Sequence, residues 1–374
     1  QLCVMNFKGW VYMQVAINKK LSEKLRAPKL SPLNQSAELY TWRANITQDG
    51  HYRLLVFMHD ASRYVLVVQK PLAKDFKRLP EIFAETLRET LLLDGINPDI
   101  IERYIDEIGE VVLCTNSGKG ESARLNVACR NAWYGVQDNT TNAICGVFAS
   151  LLSVGDYNVQ DRNNPSTTFT EMLSCYGLPV KSTTAFDLTI RLDLDGNDAV
   201  RVIRVPSNIT FDLLHKVIQK AYCWNDYHLY HFCFYKDDEF DYFAKPEIEL
   251  VASEEDFEFK PDGILMQSVK LSEYFPKRKK CVYNYDYGDN WYHHIELSGI
   301  VEDCDEELPK LLLGSGDAPP EDVGGVGGFA DFLRVIADPN DEDYEHFTEW
   351  AKSQWWKRFD FKYTAGKVKY SLWW

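Results

Sequence analysis

The sequence predicts an α+β fold with two domains. Its 374 residues exceed the usual size of a single domain. Alternating apolar residues, typical of strands, are interspersed with runs of helical periodicity. This pattern is lost after residue 133 and begins again near residue 185. The stretch between these positions is rich in Asn, Ser and Thr, as is typical of a linker. The predicted organisation is an upstream extension at 1–12, an N-terminal α+β domain at 13–133, a linker at 134–182 and a second α+β domain at 183–374.

The extension is inferred from the first residues of the chain. The sequence begins with Gln1, and QLCVMNFKGWVY lacks the charged start and long apolar core of a signal peptide. The run that starts at Met13, MQVAINKKL, is typical of the opening of a domain. We therefore expect residues 1–12 to be upstream sequence.

The first domain shows paired strand signals followed by helices. Two apolar runs, 52–59 and 64–70, flank the turn sequence DASR and predict a hairpin. The clearest helix is 97–109, because Asn97 can cap it and Gly109 can end it. The remaining predicted elements are a helix at 79–95, a strand at 110–115, a helix at 122–133 and a short helix within the linker at 142–153.

The second domain opens with a hairpin, a helix and a strand, which predicts a β-grasp-like core. Residues 185–194 and 199–205 alternate strictly around a DGND turn. The helix at 210–222 has Thr210 as its cap and an apolar stripe that is formed by Phe211, Leu214, Val217, Ile218 and Ala221. Residues 228–235 read as the next strand.

The rest of the second domain combines an acidic insert, a second hairpin and C-terminal helices. The insert covers 236–268, and the hairpin at 281–297 turns at GDN. Helices are predicted at 329–338 and 342–359, followed by a terminal strand at 367–374. Neighbouring residues on a helix cannot face the same core, so we expect one of Trp355 and Trp356 to be exposed.

Charge and cysteine content narrow the functional classes. Of the 41 basic and 56 acidic residues, 19 of each precede residue 181, so the excess acid lies in the second half. Such a surface repels phosphate backbones and makes direct nucleic-acid binding a poor hypothesis there. The 9 cysteines are scattered without a C-x-x-C pair, which favours free thiols in the cytoplasm. No apolar run approaches the ~18 residues of a membrane span.

Three strings of the second half resemble a known family. In order, they are VPSNITFDLLHKVIQKAYCWNDYHLYHF, YNYDYGDNWYHHIEL and APPEDVGGVGGFADFLRVIADPNDEDY, and together they resemble the plasmid pRiA4b ORF-3-like family over about 185–350. In the first half, the strings FMHDASRYVLVV, AKDFKRLPEIFAETLRETLLLDGI and ERYIDEIGEVV resemble a small uncharacterised bacterial α+β domain. The family resemblance implies a bacterial plasmid or mobile-element context without an established reaction. It also implies His and often Cys where this chain has Tyr230 and Ala318, and both changes remove good metal ligands.

The same strings contain the residues that could form a site. Side chains alternate along a strand, so His293 and His294 point to opposite faces and at most one can join a cluster. Imidazole and carboxylate groups together suit a divalent ion, and we predict the metal ligands to be His228, Asp289, His293 and Glu321. The full candidate pocket comprises Trp224, Asp226, His228, Asp286, Asp289, Trp291, His293, Glu321 and Asp322.

Two functions and one structural interpretation remain open. The first function is a non-enzymatic binding or accessory protein that acts on a protein or small-molecule ligand without a cofactor. The alternative is a metal-dependent hydrolase that uses the His, Asp and Glu cluster. In the structural interpretation, the aspartates cap turns and helix ends while Trp224 and Trp291 fill the edge of the core.

Overall fold

The computed structural model describes residues 13–25, 30–33, 38–49, 52–108, 111–115, 118–136, 165–258 and 260–372. The chain divides into two compact units between Thr183 and Thr184. Each unit combines helices with a sheet of its own, which confirms the predicted α+β class and the two domains. The expected extension and the short helix at 142–153 lie outside the described residues.

The first unit contains a mixed six-stranded sheet with the order β2-β6-β1-β3-β4-β5. Its strands are β1 (Met13–Ile17), β2 (Ser31–Pro32), β3 (Thr41–Asp49), β4 (Tyr52–His59), β5 (Val65–Gln69) and β6 (Val111–Thr115). Its helices are α1 (Lys19–Leu25), α2 (Leu79–Leu93), α3 (Pro98–Ile108), α4 (Lys119–Val136) and α5 (Pro165–Leu173). Strands β1, β2, β3 and β6 pair in parallel, whereas β3, β4 and β5 form an antiparallel meander.

Both faces of this sheet are covered, because successive side chains of a strand point to opposite sides. Leu55 and Phe57 of β4 pack into a core with α2, α3 and α5. Leu54 and Val56 of the same strand pack into a second core with α4. The apolar run at 52–59, which was predicted as one strand of a hairpin, is therefore a strand that is buried on both faces.

The end of the first unit differs from the predicted linker. Residues 165–173 form α5, and its Phe169 and Leu173 are buried in the core beside Trp42 and Tyr104. The segment was predicted as irregular because its Asn-, Ser- and Thr-rich sequence resembles a loop. Two apolar residues one helical turn apart were enough to fold it onto the sheet.

The second unit is built on an eight-stranded sheet with the order β11-β10-β9-β12-β13-β7-β8-β14. Its strands are β7 (Thr183–Leu192), β8 (Ala199–Pro206), β9 (Tyr230–Phe234), β10 (Ile248–Val251), β11 (Ile264–Leu265), β12 (Lys280–Tyr285), β13 (Trp291–Cys304) and β14 (Lys310–Ser315). Its helices are α6 (Phe211–Tyr222), α7 (Leu271–Tyr274), α8 (Gly325–Ala337), α9 (Tyr344–Ser353) and α10 (Phe361–Lys369). The predicted sequence of hairpin, helix and strand is confirmed by β7, β8, α6 and β9.

Helix α6 forms as its sequence predicts. The Thr210 side chain accepts a hydrogen bond from the backbone N–H of Leu213 at 3.3 Å and caps the helix. All five residues of the predicted apolar stripe are fully buried. Cys223 ends the helix in a left-handed conformation with φ of 64°, which turns the chain into the loop that carries Trp224 to Leu229.

The C-terminal region departs from the prediction. The prediction of a terminal strand at 367–374 is wrong for the residues that the structure describes there, because Phe361–Lys369 is helix α10. The Asp360 carboxylate caps it by accepting from the Tyr363 N–H, and Thr364 and Val368, one turn apart, are buried. The helix predicted at 342–359 ends earlier, at Ser353.

Candidate metal centre

Three side chains from separate loops converge at one end of the second sheet. His228 lies just before β9 and Asp286 just after β12, and these antiparallel strands pair Tyr230 with Tyr285. His228 Nε2 lies 3.3 Å from Asp322 Oδ1 and 3.6 Å from Asp286 Oδ2. The donor atoms of the three residues all lie within 4.8 Å of one another. His228 Nε2 is buried and has no hydrogen-bond partner among the described residues.

Asp286 is oriented by the turn that joins β12 to β13. It has a φ of 61°, its Oδ1 accepts from the Gly288 N–H at 2.9 Å, and its backbone N–H donates to the Leu229 carbonyl. The last bond joins this turn to the His228 loop. The second carboxylate oxygen, Oδ2, is the one that lies near His228.

Asp322 is presented by the loop that leads into α8. It has a φ of 60°, and its side chain is 64% exposed. The Asp289 Oδ2 accepts from the Gly324 N–H at 3.2 Å and joins this loop to the β12–β13 turn. Gly325, with a φ of 71°, lies so close that an added Cβ would be 3.2 Å from the Asp289 carbonyl oxygen. Side chains other than hydrogen fit poorly there. Asp289 therefore positions the site and is not part of the cluster.

Glu321 also has a positioning role. Its Oε1 accepts from the Tyr285 hydroxyl at 2.6 Å, and its Oε2 accepts from Asn225 N and Nδ2 at 3.1 and 2.7 Å. Burial and the hydrogen bond to Glu321 raise the pKa of Tyr285, so its hydroxyl remains a donor. The Tyr285 ring centre lies 5.7 Å from that of His228. Both carboxylate oxygens of Glu321 are thus used to fix the 318–322 loop against the His228 loop.

His293 is a core residue and does not reach the cluster. Its ring is fully buried against Tyr222, Trp224 and Tyr283. Burial lowers its pKa to about 3. Of the four metal ligands predicted from sequence, only His228 belongs to the cluster. Asp286 and Asp322 came from the wider candidate pocket.

The two tryptophans of the candidate pocket fill the core, as the structural interpretation expected. Trp224 and Trp291 are 2% and 1% exposed. The Trp224 ring stacks on the Tyr285 ring, and its Nε1–H donates to the Pro319 carbonyl at 2.8 Å. They support the loops around the cluster without entering it.

Asp226 belongs to a separate hydrogen-bond chain that sequence reasoning missed. Its Oδ1 lies 2.8 Å from His215 Nε2, and His215 Nδ1 lies 2.7 Å from the Tyr283 hydroxyl. Burial raises the pKa of the Asp226 carboxyl, but the hydrogen bond with His215 and the charges of His215, Lys216 and Lys220 together lower it by more, so the net shift of the pKa is downward. Tyr230 stacks on the His215 ring. A signal was available, because His215 falls on the buried side of α6, where a polar residue needs a partner.

A second group of potential ligands, His231, Cys233 and Glu249, lies on strands β9 and β10. There Lys260 Nζ lies 2.6 Å from Glu249 Oε1 and already supplies a positive charge. Burial raises the pKa of the Cys233 thiol to about 12, so it remains protonated. This group is therefore a structural ion pair beside a buried histidine.

The His228 cluster has the kinds of donor atom that a divalent ion would need. One imidazole nitrogen and two carboxylate oxygens suit ions such as Zn²⁺ or Mn²⁺. Ligand distances of about 2.1 Å require donor atoms within roughly 4.2 Å of each other. A small rotation of the exposed Asp322 side chain would satisfy this. Three protein ligands leave coordination positions open to water or to a ligand.

The second unit is thus an α+β domain in which loops at one end of an eight-stranded sheet bring a histidine and two aspartates together. Residues 184–365 match the sequence model of the plasmid pRiA4b ORF-3-like protein family, and residues 14–150 match a domain of unknown function, DUF6933. The uncharacterized protein y4hQ of Sinorhizobium fredii is 30% identical over 166 residues, which are 44% of this chain and 80% of that protein. The chain therefore belongs to the plasmid pRiA4b ORF-3-like family.

A solved structure is also similar. The crystal structure of MM3350, a protein of unknown function from Methanosarcina mazei Go1, is 31% identical and covers 48% of this chain and 96% of its own, with a TM-score of 0.41. In the described part of the chain, no helix has the length and apolar character needed to cross a bilayer.

Proposed function

We propose that this protein is a binding or accessory protein whose second unit holds a divalent metal ion between His228, Asp286 and Asp322. The observation that carries the proposal is the buried Nε2 of His228, which has no hydrogen-bond partner among the described residues and lies 3.3 and 3.6 Å from two aspartate oxygens. A buried ring nitrogen without a partner is unfavourable, and so are two neighbouring carboxylates without a countercharge. A bound cation resolves both.

The ion would also order the loops around it. Asp286 and Asp322 lie in different loops, and both have positive φ values, which are costly for residues other than glycine. The hydrogen bond from the Gly324 N–H to Asp289 already joins these loops. Coordination would add a second connection and create a defined surface for a ligand.

The first experiment measures metal binding directly. We expect about one ion per chain after incubation with Zn²⁺ or Mn²⁺, measured by elemental analysis after dialysis and by titration calorimetry. His228→Ala, Asp286→Asn and Asp322→Asn should each weaken binding at least about tenfold. Binding should also weaken as pH falls, because the imidazole must lose its proton to bind the ion.

The matched controls come from the residues that the sequence alone predicted as ligands. Asp289→Asn keeps an oxygen that can accept from Gly324, and Glu321→Gln keeps the shape of the side chain. Both should retain the ion. Loss of the ion in these two variants, with retention in Asp322→Asn, would show that the assigned donor set is wrong.

A metal-dependent hydrolase is the second candidate. The exposure of Asp322 favours it, because solvent and substrate can reach the open coordination positions of a bound ion there. The metal-loaded protein would be assayed with p-nitrophenyl esters and phosphoesters. Turnover that chelation and His228→Ala both abolish supports the hydrolase, whereas a stoichiometric ion without turnover supports the binding role.

The cellular setting is part of the proposal. The plasmid or mobile-element context is supported by family membership alone. A cytoplasmic location is supported by the cysteines, since the seven that the structure describes are all free. The partner is expected to be a protein or a small molecule, because the excess acid of the second half disfavours direct contact with nucleic acid.

A further inference from the structure

A cavity of about 230 Å³ lies in the second unit, on the side of the 318–321 loop where the C-terminal segment packs. Its walls come from the end of α6, from that loop and from residues 354–367. The lining includes six aromatic side chains: Tyr222, Trp224, Trp355, Trp356, Phe359 and Tyr363. Nothing in the proposed metal chemistry uses this cavity.

The cavity lining includes a buried guanidinium, Arg201, that has no carboxylate partner among the described residues. Arg201 is 2% exposed and donates to the backbone carbonyls of Ala221, Val200, Ser315 and Gly316, with distances from 2.6 to 3.2 Å. The Phe359 ring lies over it at 3.9 Å. Carbonyl oxygens orient the guanidinium but do not neutralise it. Burial accordingly lowers the pKa of Arg201.

Two lysines at the cavity also lack carboxylate partners within the described residues. Lys357 and Lys367 lie 5.0 and 5.3 Å from the centre of the Tyr363 ring. Lys220 lies close enough that burial and the charge of Lys367 together lower its pKa. Like charges are thus gathered in a domain that is acidic as a whole. Such crowding is unfavourable unless an anion relieves it.

The carboxylates nearby already have structural partners. Both oxygens of Glu321 accept hydrogen bonds from Asn225 and Tyr285. Asp360 caps α10, and Asp317 pairs with Arg358 at 2.7 Å. These contacts hold each carboxylate in place, and among the described residues none of the three pairs with Arg201, Lys357 or Lys367.

We propose that this cavity binds a small organic anion, in which a carboxylate or a phosphate is attached to a flat apolar group. The cationic side chains would bind the anionic oxygens, and the aromatic walls would pack against the flat group. The ligand must be small, because drug-sized pockets measure roughly 300–1,000 Å³. Trp355, which is 86% exposed at the rim, is available to close over it.

The test is a fluorescence titration, since Trp224, Trp355 and Trp356 report on the cavity. The probes are phenyl phosphate, benzoate, inorganic phosphate and the neutral benzyl alcohol, all with EDTA present so that a metal site cannot contribute. We expect saturable binding of phenyl phosphate, benzoate or both, at least about tenfold tighter than benzyl alcohol. Which of the two binds more tightly identifies the acid group.

Charge variants complete the test. Lys357→Gln and Lys367→Gln should each weaken anion binding about tenfold. Lys362→Gln, on the same helix as Lys367 but outside the lining, should bind like the wild type. The proposal is overturned if benzyl alcohol binds as tightly as the anions, if none of the anions saturates, or if Lys362→Gln loses as much affinity as the other two. Equal binding of inorganic phosphate and phenyl phosphate would overturn the role of the aromatic walls.

Discussion

Burial assigns different roles to histidines that the sequence presents alike. His59, His231 and His293 are all buried, and desolvation lowers their pKa values to about 4, about 3 and about 3. His228, by contrast, keeps some exposure and lies near two carboxylates. The same imidazole is therefore a neutral core residue at three positions and a candidate ligand at the fourth.

The buried histidines predict how stability depends on pH. The folded-state pKa lies below the unfolded value of about 6.5, so between about 6.5 and about 3 only the unfolded chain binds the proton. With respect to these histidines, the free energy of unfolding is therefore at its maximum above about pH 6.5. It falls as the pH decreases below that value, by up to about 1.4 kcal/mol per pH unit for each histidine. Urea unfolding at a series of pH values measures this slope.

His293 provides the specific comparison. His293→Gln should reduce the slope by the contribution of one proton, whatever its effect on stability at neutral pH. His346→Gln, at an exposed position, is the control and should leave the slope as it is. An unchanged slope in His293→Gln would contradict the assignment of that histidine as neutral and buried.

At the scale of elements, one glycine of β14 determines how the C-terminal segment packs. An added Cβ on Gly314 would lie 2.5 Å from Phe359 Cζ. Phe359 in turn covers the Arg201 guanidinium. The strand therefore needs glycine at this position so that the aromatic ring can lie flat against it.

Gly314→Ala should consequently displace Phe359. We expect a loss of about 1–3 kcal/mol in the free energy of unfolding, as for other overpacked sites, together with weaker anion binding in the cavity. Chemical denaturation and the fluorescence titration measure the two effects. The matched control is Gly327→Ala in α8, where an added Cβ has nothing within 4 Å. That variant should gain roughly 0.5–1 kcal/mol from helix propensity, and a similar loss in both variants would exclude the packing argument.

At the scale of the whole molecule, each unit has a sheet and an apolar core of its own. The His228 cluster and the aromatic cavity both lie in the second unit, and the 318–322 loop contributes to each of them. In the first unit, the buried His59 lies within hydrogen-bond distance of the Ser62 hydroxyl and the Leu39 carbonyl.

This division predicts where a bound metal ion acts. Binding to the folded state should slow hydrogen exchange in segments 224–230, 285–292 and 318–326, because those loops supply or position the ligands. Exchange in β1, β3, β4 and β6 should not change. Hydrogen-exchange mass spectrometry with and without Zn²⁺ measures both. Equal protection of the two units would contradict a site confined to the second.

The elements of this protein could be predicted largely from its sequence, because their signals are local. The apolar stripe and Thr210 cap of α6 and the alternation of β7 and β8 each depend on residues within a few turns or pairs. Exposure of one of the paired tryptophans was also expected, and Trp355 is exposed, although the helix on which that expectation rested ends before it, at Ser353. The prediction of a terminal strand was wrong because it overlooked Asp360, whose side chain caps helix α10.

The roles of the site residues were decided by tertiary structure. Glu321 and Asp322 are neighbours in the chain, yet Tyr285 and Asn225 bind the first while the left-handed backbone turns the second outward. His228 and His293 both occur in strings rich in aromatic and acidic residues, but only one lies at the end of the sheet. Contacts between loops that are distant in sequence settle these roles, and local periodicity carries no information about them. The sequence alone therefore determined the α+β elements and a set of candidate residues, whereas the packing of the loops selected the three that meet.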